Sequence, residues 1–133
     1  MADPDVLLAR AREAREPAYA PYSRFGVGAA LEADDGSIHI GCNVENASYP
    51  LGVCAERHAV AAAVVAGHRR FRTLALSFAG PDPMPPCGGC RQVLAEFGLD
   101  IRVIAEGGGG ARAEWSLGDL LPVPFLLHGR ERS

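Results

Sequence analysis

Hydrophobic and polar residues alternate in short blocks along the chain, and the period of the pattern changes between helix and strand. Residues 4–16 carry apolar positions at helical spacing, with Asp3 as a suitable N-cap and Pro4 at the first helical position. Residues 26–32 and 37–44 predict two strands, and the Asp-Asp-Gly sequence between them favours a hairpin. The first third of the chain is therefore predicted to form a helix followed by a β-hairpin.

The remainder of the chain alternates helices with short apolar strands. An alanine- and valine-rich run from Cys54 to about Ala66 predicts a helix that ends at Gly67, and another helix is expected to start beside Pro86 and to continue to Gly98. Further strands are predicted at residues 73–78, 101–105 and 111–115, and a short helix at 117–121 after Ser116 as N-cap. This order predicts an α/β fold, a three-layer α/β/α arrangement with a mixed central sheet, in one domain covering residues 1–133.

Composition narrows the class of protein. The formal net charge of −3 over 133 residues argues against a nucleic-acid partner, and no apolar run approaches membrane-spanning length. The start of the chain does not resemble an export signal, so we expect a cytoplasmic protein whose cysteines bind metal rather than form disulfides. All thirteen basic residues are arginine, which excludes Schiff-base chemistry and a lysine-bearing phosphate loop.

Three of the four cysteines and one carboxylate lie in two short stretches, residues 54–56 and 86–90. Cys87 and Cys90, three residues apart at the start of a helix, project from one face and can hold one ion, to which Cys54 can add a third thiolate from another helix. Three protein ligands leave one tetrahedral position open, which favours a catalytic zinc ion. The helix N-terminus is expected to lower the pKa of Cys54, and Glu56 stands where a base for a water molecule is needed. The pattern is close to the zinc-deaminase signature, with cysteine in place of its histidine.

The end of the predicted hairpin carries a second polar pattern. If strand geometry persists, Asn43 and Glu45 share one face while Val44 points away. An amide that donates and accepts, beside a carboxylate that accepts, suits the paired hydroxyls of a sugar. Turn and strand-end chemistry is the alternative interpretation of these residues.

The patterns around several nearby residues are less specific. Cys42 is expected to be a small buried residue, and neither His58 nor His68 has ligand spacing to the cysteines. Phe25, at the start of the first strand, is expected to anchor the core. Arg57 can either place a positive charge beside the thiolates or lie on an ordinary helix surface. Surface or packing roles are predicted for Arg91 and Gln92.

At these residues the sequence resembles the small, homotetrameric cytidine deaminases. The matching segments are residues 21–30, 41–46, 49–57, 86–92 and 120–125, so that the resemblance runs from about residue 17 to residue 125. Gly26 and His58 depart from the commonest family pattern, which has proline and a smaller residue there. The resemblance implies zinc-dependent hydrolytic deamination of cytidine and 2′-deoxycytidine to uridine and 2′-deoxyuridine, with release of ammonia, in pyrimidine salvage.

The resemblance also implies the metal chemistry. Cys54, Cys87 and Cys90 would hold one Zn²⁺ per subunit, and Glu56 would move protons between water, the base and the leaving amine. Arg57 resembles an arginine that supports the zinc thiolates.

The remaining implied roles concern the nucleoside. Asn43 and Glu45 would hold the ribose hydroxyls, Phe25 would pack against the nucleoside, and the backbone around Ala55 would hydrogen-bond the base. Phe125 resembles an aromatic residue that reaches the site of a neighbouring subunit. A homotetramer with shared active sites is therefore implied.

Other functions remain compatible with parts of the pattern. A deaminase of another aminopyrimidine nucleoside such as blasticidin S shares the zinc motif, although the Asn43/Glu45 pair favours an ordinary ribose. A nucleotide deaminase would need a phosphate-binding cluster. An enzyme that deaminates bases within a polynucleotide would need a row of basic residues along its surface. A non-catalytic zinc-stabilised binding module needs a fourth ligand, for which Cys42 is the spare cysteine. A redox CxxC protein leaves the motif at residues 54–56 unexplained.

Overall fold

Five strands form one mixed sheet in the computed structural model, which describes residues 2–127. The strands are β1 (Val27–Ala33), β2 (Ile38–Cys42), β3 (Phe71–Phe78), β4 (Arg102–Glu106) and β5 (Arg112–Ser116). They lie in the order β2-β1-β3-β4-β5, with β3 and β4 parallel and every other neighbouring pair antiparallel. The predicted mixed central sheet is confirmed.

Helices cover both faces of the sheet. The helices are α1 (Pro4–Arg15), α2 (Ala55–Val65), α3 (Gly88–Ala95) and α4 (Leu117–Leu120), and a short 3₁₀ turn spans Tyr49–Leu51. Asp3 caps α1 by accepting a hydrogen bond from Asp5 N, as its position predicts. Ser116 takes the N-cap position of α4, but its side chain makes no capping hydrogen bond. Within the described residues no helix is long and apolar enough to cross a membrane.

Alternate residues of the central strands belong to two apolar clusters, one on each face of the sheet. On one face of the sheet, α1 buries Leu7, Leu8 and Ala11 against Ala30 and Ala75. On the other face, α2 and α3 pack over a larger cluster whose strand members include Ala29, Leu31, Leu74, Leu76 and Val103. This division follows the two-residue period of the strands, and it confirms the predicted three-layer arrangement.

Two elements were predicted to end two or more residues later than they do. The second strand of the hairpin was expected to reach Val44, but β2 ends at Cys42, because beyond it the chain pairs instead with Tyr19 and Val53 through isolated bridges. The helix after Pro86 was expected to continue to Gly98. It ends at Ala95, because the chain turns at residues 96–97 and Gly98 then has a φ of 133°.

A glycine allows α2 to lie directly on the edge strand. A Cβ built on Gly41 would meet Ala55 O and Ala59 N at 2.5 Å each, which no side chain can tolerate. The first turn of α2 therefore packs on β2 at backbone contact distance. This contact fixes where Cys54 and Glu56, at the start of α2, lie relative to the residues that follow β2.

Candidate active site

Two helix N-termini bring the three predicted zinc ligands together. Cys54 is the N-cap of α2 and Cys87 the N-cap of α3, while Cys90 lies in the first turn of α3. The three Sγ atoms all lie within 4.8 Å of one another, and those of Cys87 and Cys90 are 3.5 Å apart. The expected convergence of three thiols from two helices is confirmed.

The spacing of these thiols fits one tetrahedral zinc ion. With Zn–S bonds of about 2.3 Å, the sulfurs of a tetrahedral site lie about 3.8 Å apart, close to the separations observed here. Neither N-cap cysteine uses its side chain to cap its helix, so both thiols can face an ion. Within residues 2–127, no fourth cysteine, histidine, aspartate or glutamate side chain joins the group. The arrangement therefore leaves one coordination position open, as a catalytic site requires.

The fourth cysteine and the two histidines near the motif lie outside the thiol group. Neither His58 nor His68 joins it, as their spacing predicts. Cys42 also lies apart, but the prediction that it is buried is wrong, since its side chain is partly exposed. The reason is that β2 is an edge strand of the sheet, a property that depends on the strand order and not on the local pattern.

Glu56 is a buried carboxyl beside the thiols. It occupies the second position of α2, is only 6% exposed, and lines the same cavity as Cys54 and Cys87. Burial raises the pKa of Glu56 to about 7, and the charge of Cys54 adds to the rise. A hydrogen bond from Cys90 acts on this pKa in the opposite direction.

The thiols also perturb one another. A hydrogen bond from Cys90 lowers the pKa of Cys54 to about 6, against the effect of burial, and the charge of Arg57 lowers it further. The same hydrogen bond raises the pKa of Cys90. The sequence predicted the direction for Cys54 from the helix N-terminus, whereas the largest cause here is a second thiol. Arg57 is exposed and acts on Cys54 through its charge.

A cavity of about 660 Å³ opens over the thiols. Its lining includes Cys54, Cys87 and Glu56 together with Phe25, Asn43 and Glu45. Apolar surface is added by Phe78, Met84 and Pro85, which no sequence pattern singled out. This combination of volume, apolar walls and a few polar side chains is typical of a small-molecule site.

Asn43 and Glu45 both line the cavity, and both are partly engaged by neighbouring backbone groups. Asn43 Oδ1 accepts from Val27 N at 2.8 Å, and Asn43 Nδ2 donates to Phe25 O at 2.9 Å. Glu45 Oε1 accepts from the backbone N–H groups of residues 22 and 23, and Glu45 Oε2 accepts from the Ser23 hydroxyl. These bonds hold both side chains in place, and each side chain still has hydrogen-bonding capacity for a ligand. Val44 is exposed and does not line the cavity, so Asn43 and Glu45 face one space as predicted, although β2 ends before them at Cys42.

Phe25 and Ala55 both line the cavity over the thiols, Phe25 from the segment before β1 and Ala55 from the start of α2. The Phe25 ring is partly buried against the larger core cluster, with its centroid 6.2 Å from that of Phe78, and it also lines the cavity. The predicted core anchor is thus at the same time a wall of the site. Ala55 is fully buried and is the first residue of α2, where the backbone N–H has no acceptor within the helix.

Phe125 lies away from the cavity of its own chain. Its side chain is 69% exposed, and its backbone is held by the Gln92 amide, which donates to Phe125 O at 3.0 Å and accepts from Phe125 N at 3.2 Å. Gln92 was predicted to be a surface or packing residue, and this pairing was not foreseen.

Two further side chains support the site through backbone carbonyls. His58 Nδ1 donates to Cys42 O at 2.8 Å, which ties α2 to the end of β2 just before Asn43. Arg91 donates to Pro86 O at 2.7 Å and to Leu120 O at 2.9 Å, which connects the residue before Cys87 to α4. Neither role could be predicted, because a backbone carbonyl that accepts a hydrogen bond leaves no mark on the amino-acid pattern.

A buried carboxyl beside three convergent thiols, in an apolar cavity with an amide and a second carboxylate, defines the class of zinc-dependent hydrolytic enzymes that act on a small polar molecule. Comparison with known proteins identifies the family. Residues 1–106 match the family described as the cytidine and deoxycytidylate deaminase zinc-binding region.

Relatives match over nearly the whole chain. A cytidine deaminase of Halalkalibacterium halodurans is 46% identical over 124 residues, covering 92% of this chain and 94% of the relative. A cytidine deaminase of Mycobacterium tuberculosis is 45% identical over 125 residues, covering 94% and 91%. The crystal structure of a cytidine deaminase from Burkholderia pseudomallei matches with a TM-score of 0.88 at 47% identity, over 94% of this chain and 100% of that one. The chain belongs to the cytidine deaminase family, whose fold and zinc-binding region it shares.

Proposed function

We propose that this chain is a cytidine deaminase that hydrolyses cytidine and 2′-deoxycytidine to uridine and 2′-deoxyuridine, with release of ammonia. The observation that carries the proposal is the position of Glu56, a buried carboxyl that shares one cavity with a group of three thiols. Cys54, Cys87 and Cys90 hold one zinc ion per subunit. Arg57 supports the thiolates with its positive charge, which acts on Cys54.

Glu56 carries the proton transfers in this proposal. The bound zinc ion supplies Lewis-acid activation, which lowers the pKa of a water molecule. The Glu56 carboxylate takes a proton from the attacking water and delivers it to N3 of the pyrimidine while oxygen adds at C4. Glu56 then takes the proton of the new C4 hydroxyl group and passes it to the amine, so that the C4–N bond breaks, ammonia leaves and the C4 carbonyl of a uracil ring forms. Burial of Glu56 keeps bulk water from competing for these protons.

The polar pair on the other side of the cavity binds the sugar. Asn43 has one Nδ2 hydrogen left after its bond to Phe25 O, and Glu45 keeps an acceptor site beside its three bonds to residues 22 and 23. One donor and one acceptor on neighbouring side chains match two ribose hydroxyls. Phe25 packs on the nucleoside, and the backbone N–H of Ala55 is available to a polar atom of the base.

Assembly and location follow from the same proposal. The exposed Phe125 ring, together with the exposed apolar residues Val123, Leu126 and Leu127, is suited to contact a second subunit. We assign Phe125 to the active site of a neighbouring subunit in a homotetramer with shared sites. The physiological setting is pyrimidine salvage in the cytoplasm, without a nucleic-acid or membrane partner.

Turnover of cytidine, followed by its change in ultraviolet absorbance, tests the proposal when zinc is counted in the same preparation. The proposal predicts about one zinc per chain and turnover that chelation abolishes. Zinc without turnover on cytidine or deoxycytidine contradicts it. Activity on blasticidin S alone would then identify a different aminopyrimidine substrate, and no activity would identify a zinc-stabilised binding module.

A further inference from the structure

A second cluster of metal-ligating side chains lies at the opposite end of α2 from the thiols. It consists of Asp35, Ser37, His39 and His68, and we call it the hairpin cluster because three of its members lie on the β1–β2 hairpin. The eleven residues of α2 span about 16 Å, so this cluster is separate from Cys54. The proposed deaminase chemistry uses none of its members.

The side chains of the hairpin cluster converge on one point, the hydroxyl of Ser37. Ser37 Oγ lies 2.9 Å from His39 Nε2, 3.2 Å from His68 Nε2 and 2.6 Å from Asp35 Oδ1. The two imidazole rings pack together with their centroids 4.9 Å apart. Ligand atoms of Asp35 and His68 lie within 4.8 Å of each other, in a group with Asp34, whereas His39 is connected to them through the Ser37 hydroxyl.

The fold holds these side chains in place independently of any ion. His39 lies on β2 in register with buried Leu31 of β1. His68 follows Gly67, which has φ of +100° and ends α2, with His68 N donating to Ala63 O and Gly67 N to Val64 O. The His68 side chain is 19% exposed, so its ring is largely fixed by packing while water and ions can still reach it.

We propose that the hairpin cluster binds one divalent transition-metal ion through His39 Nε2, His68 Nε2 and a carboxylate oxygen of Asp35. The Ser37 hydroxyl marks a point about 0.5–1 Å farther from the three donor atoms than the 2.0–2.2 Å of metal–nitrogen and metal–oxygen bonds. Rotation of Ser37 about χ1 moves the hydroxyl away and leaves that point to an ion. Small rotations of the two rings and the carboxylate then complete the contacts.

The donor set and its surroundings indicate the kind of ion. Two imidazoles with one carboxylate suit Zn²⁺, Ni²⁺ or Cu²⁺ better than the oxygen-preferring Mg²⁺ or Ca²⁺. A cation here also lies next to the C-terminus of α2, where the helix dipole favours positive charge. Bound at this point, the ion ties the β1–β2 hairpin to the connection between α2 and β3, two segments distant from the catalytic thiols.

Equilibrium dialysis of the zinc-loaded protein against Ni²⁺ tests the proposal, with both metals counted. We expect about one Ni²⁺ per chain with the thiol-bound zinc retained, and a Tm that rises with Ni²⁺ concentration. His39→Ala and His68→Ala are each expected to weaken Ni²⁺ binding by at least about tenfold, since even loss of an outer-shell partner costs about 10–100-fold. Ser37→Ala should still bind Ni²⁺, because its hydroxyl is displaced and is not a ligand.

His58→Gln is the matched histidine control, since His58 bonds to Cys42 O and lies outside the cluster. It should bind Ni²⁺ as the unchanged protein does. Equal Ni²⁺ binding by the unchanged protein and by the His39→Ala/His68→Ala double variant would overturn the proposal. Ni²⁺ that only replaces zinc would overturn it as well. His39→Asn and His68→Asn provide the same comparison if an alanine variant fails to fold.

Discussion

The side chain of Gln92 pairs with the backbone of Phe125 at both ends of the amide. Gln92 Nε2 donates to Phe125 O at 3.0 Å, and Phe125 N donates to Gln92 Oε1 at 3.2 Å. The amide thus exchanges two hydrogen bonds with one residue, as a backbone-paired residue of an antiparallel sheet does. The pairing fixes the Phe125 backbone on α3, while the residue as a whole remains 69% exposed. A residue of the helix that carries Cys90 therefore holds Phe125 at the surface of the chain.

Gln92→Ala is expected to raise the KM for cytidine severalfold with a smaller change in kcat. The substitution removes both hydrogen bonds, so the Phe125 ring would no longer be held in place for the neighbouring subunit of the proposed homotetramer. Both bonds are exposed, and water replaces them when the amide is removed, so Tm should fall by no more than a few degrees. Steady-state kinetics at several cytidine concentrations measure the effect.

Phe125→Ala completes a double-mutant cycle with Gln92→Ala. If the two residues act as one unit, the double variant should have nearly the KM of Phe125→Ala alone. A normal KM in both single variants would show that Phe125 does not contribute to substrate binding. Additive effects would mean that Gln92 acts by another route.

Glu56→Gln is expected to lower kcat by about 10²–10⁴-fold or more, because the amide cannot exchange protons with water and the base. The zinc content should stay unchanged, since Glu56 is not a member of the three-thiol group. The amide has nearly the shape of the carboxyl, so the buried site should fold normally. Glu13→Gln, on the exposed face of α1, is the control for a general loss of charge. Near-normal turnover by zinc-loaded Glu56→Gln protein would remove Glu56 from the proton transfers.

Much of the fold could be predicted because its signals are local. Capping residues, helical spacing and turn glycines located α1, α2 and the hairpin, and Pro86 placed Cys87 and Cys90 at a helix start. The end of α3 was predicted three residues too late, because apolar Phe97 continues the helical pattern after the chain has turned.

The features of the fold and the site that were not predicted depend on contacts between segments that are distant in the sequence. Cys42 was predicted to be buried because the pattern does not show that β2 lies at the sheet edge. The contacts of Ser23, His58 and Arg91 were not foreseen because their partners are a carboxylate or carbonyls that only folding brings near. The convergence of Cys54 with the other two thiols was predicted from chemistry, since one ion needs all three.

Gly41→Ala is expected to destabilise the protein by about 1–3 kcal/mol or more and to weaken zinc binding. The added methyl group would lie 2.5 Å from Ala55 O and Ala59 N, so the first turn of α2 must move away from β2. That movement displaces Cys54 relative to the other two thiols. Thermal unfolding and the rate of zinc loss to a chelator measure the two effects. Gly109→Ala, where an added Cβ meets nothing within 4 Å, should behave like the unchanged protein. An unchanged Tm for Gly41→Ala would contradict the close packing of α2 on β2.

The stability that Ser23 provides through Glu45 should depend on pH. Hydrogen bonds from the Ser23 hydroxyl and then the Ser23 backbone N–H hold the pKa of Glu45 below its ordinary value of 4.5. A carboxyl whose pKa is lower in the folded state stabilises the fold above its unfolded pKa, and this contribution is lost as pH falls through the folded pKa. Ser23→Ala removes the hydroxyl bond, so it should lower Tm at pH 7 and have a smaller effect once the pH is below the folded pKa of Glu45.

Thermal unfolding of the unchanged protein and of Ser23→Ala, from pH 7 down to about pH 3, measures how the difference between their Tm values decreases with pH. Ser23 Oγ also accepts a hydrogen bond from Phe25 N at 3.0 Å, and loss of that bond should lower Tm equally at every pH. The Glu45→Gln variant separates the two contributions, because its side chain does not titrate. In that background, Ser23→Ala should change Tm by the same amount at pH 7 and at low pH. A Tm difference between Ser23→Ala and the unchanged protein that stays constant with pH would show that Glu45 does not depend on the Ser23 hydroxyl.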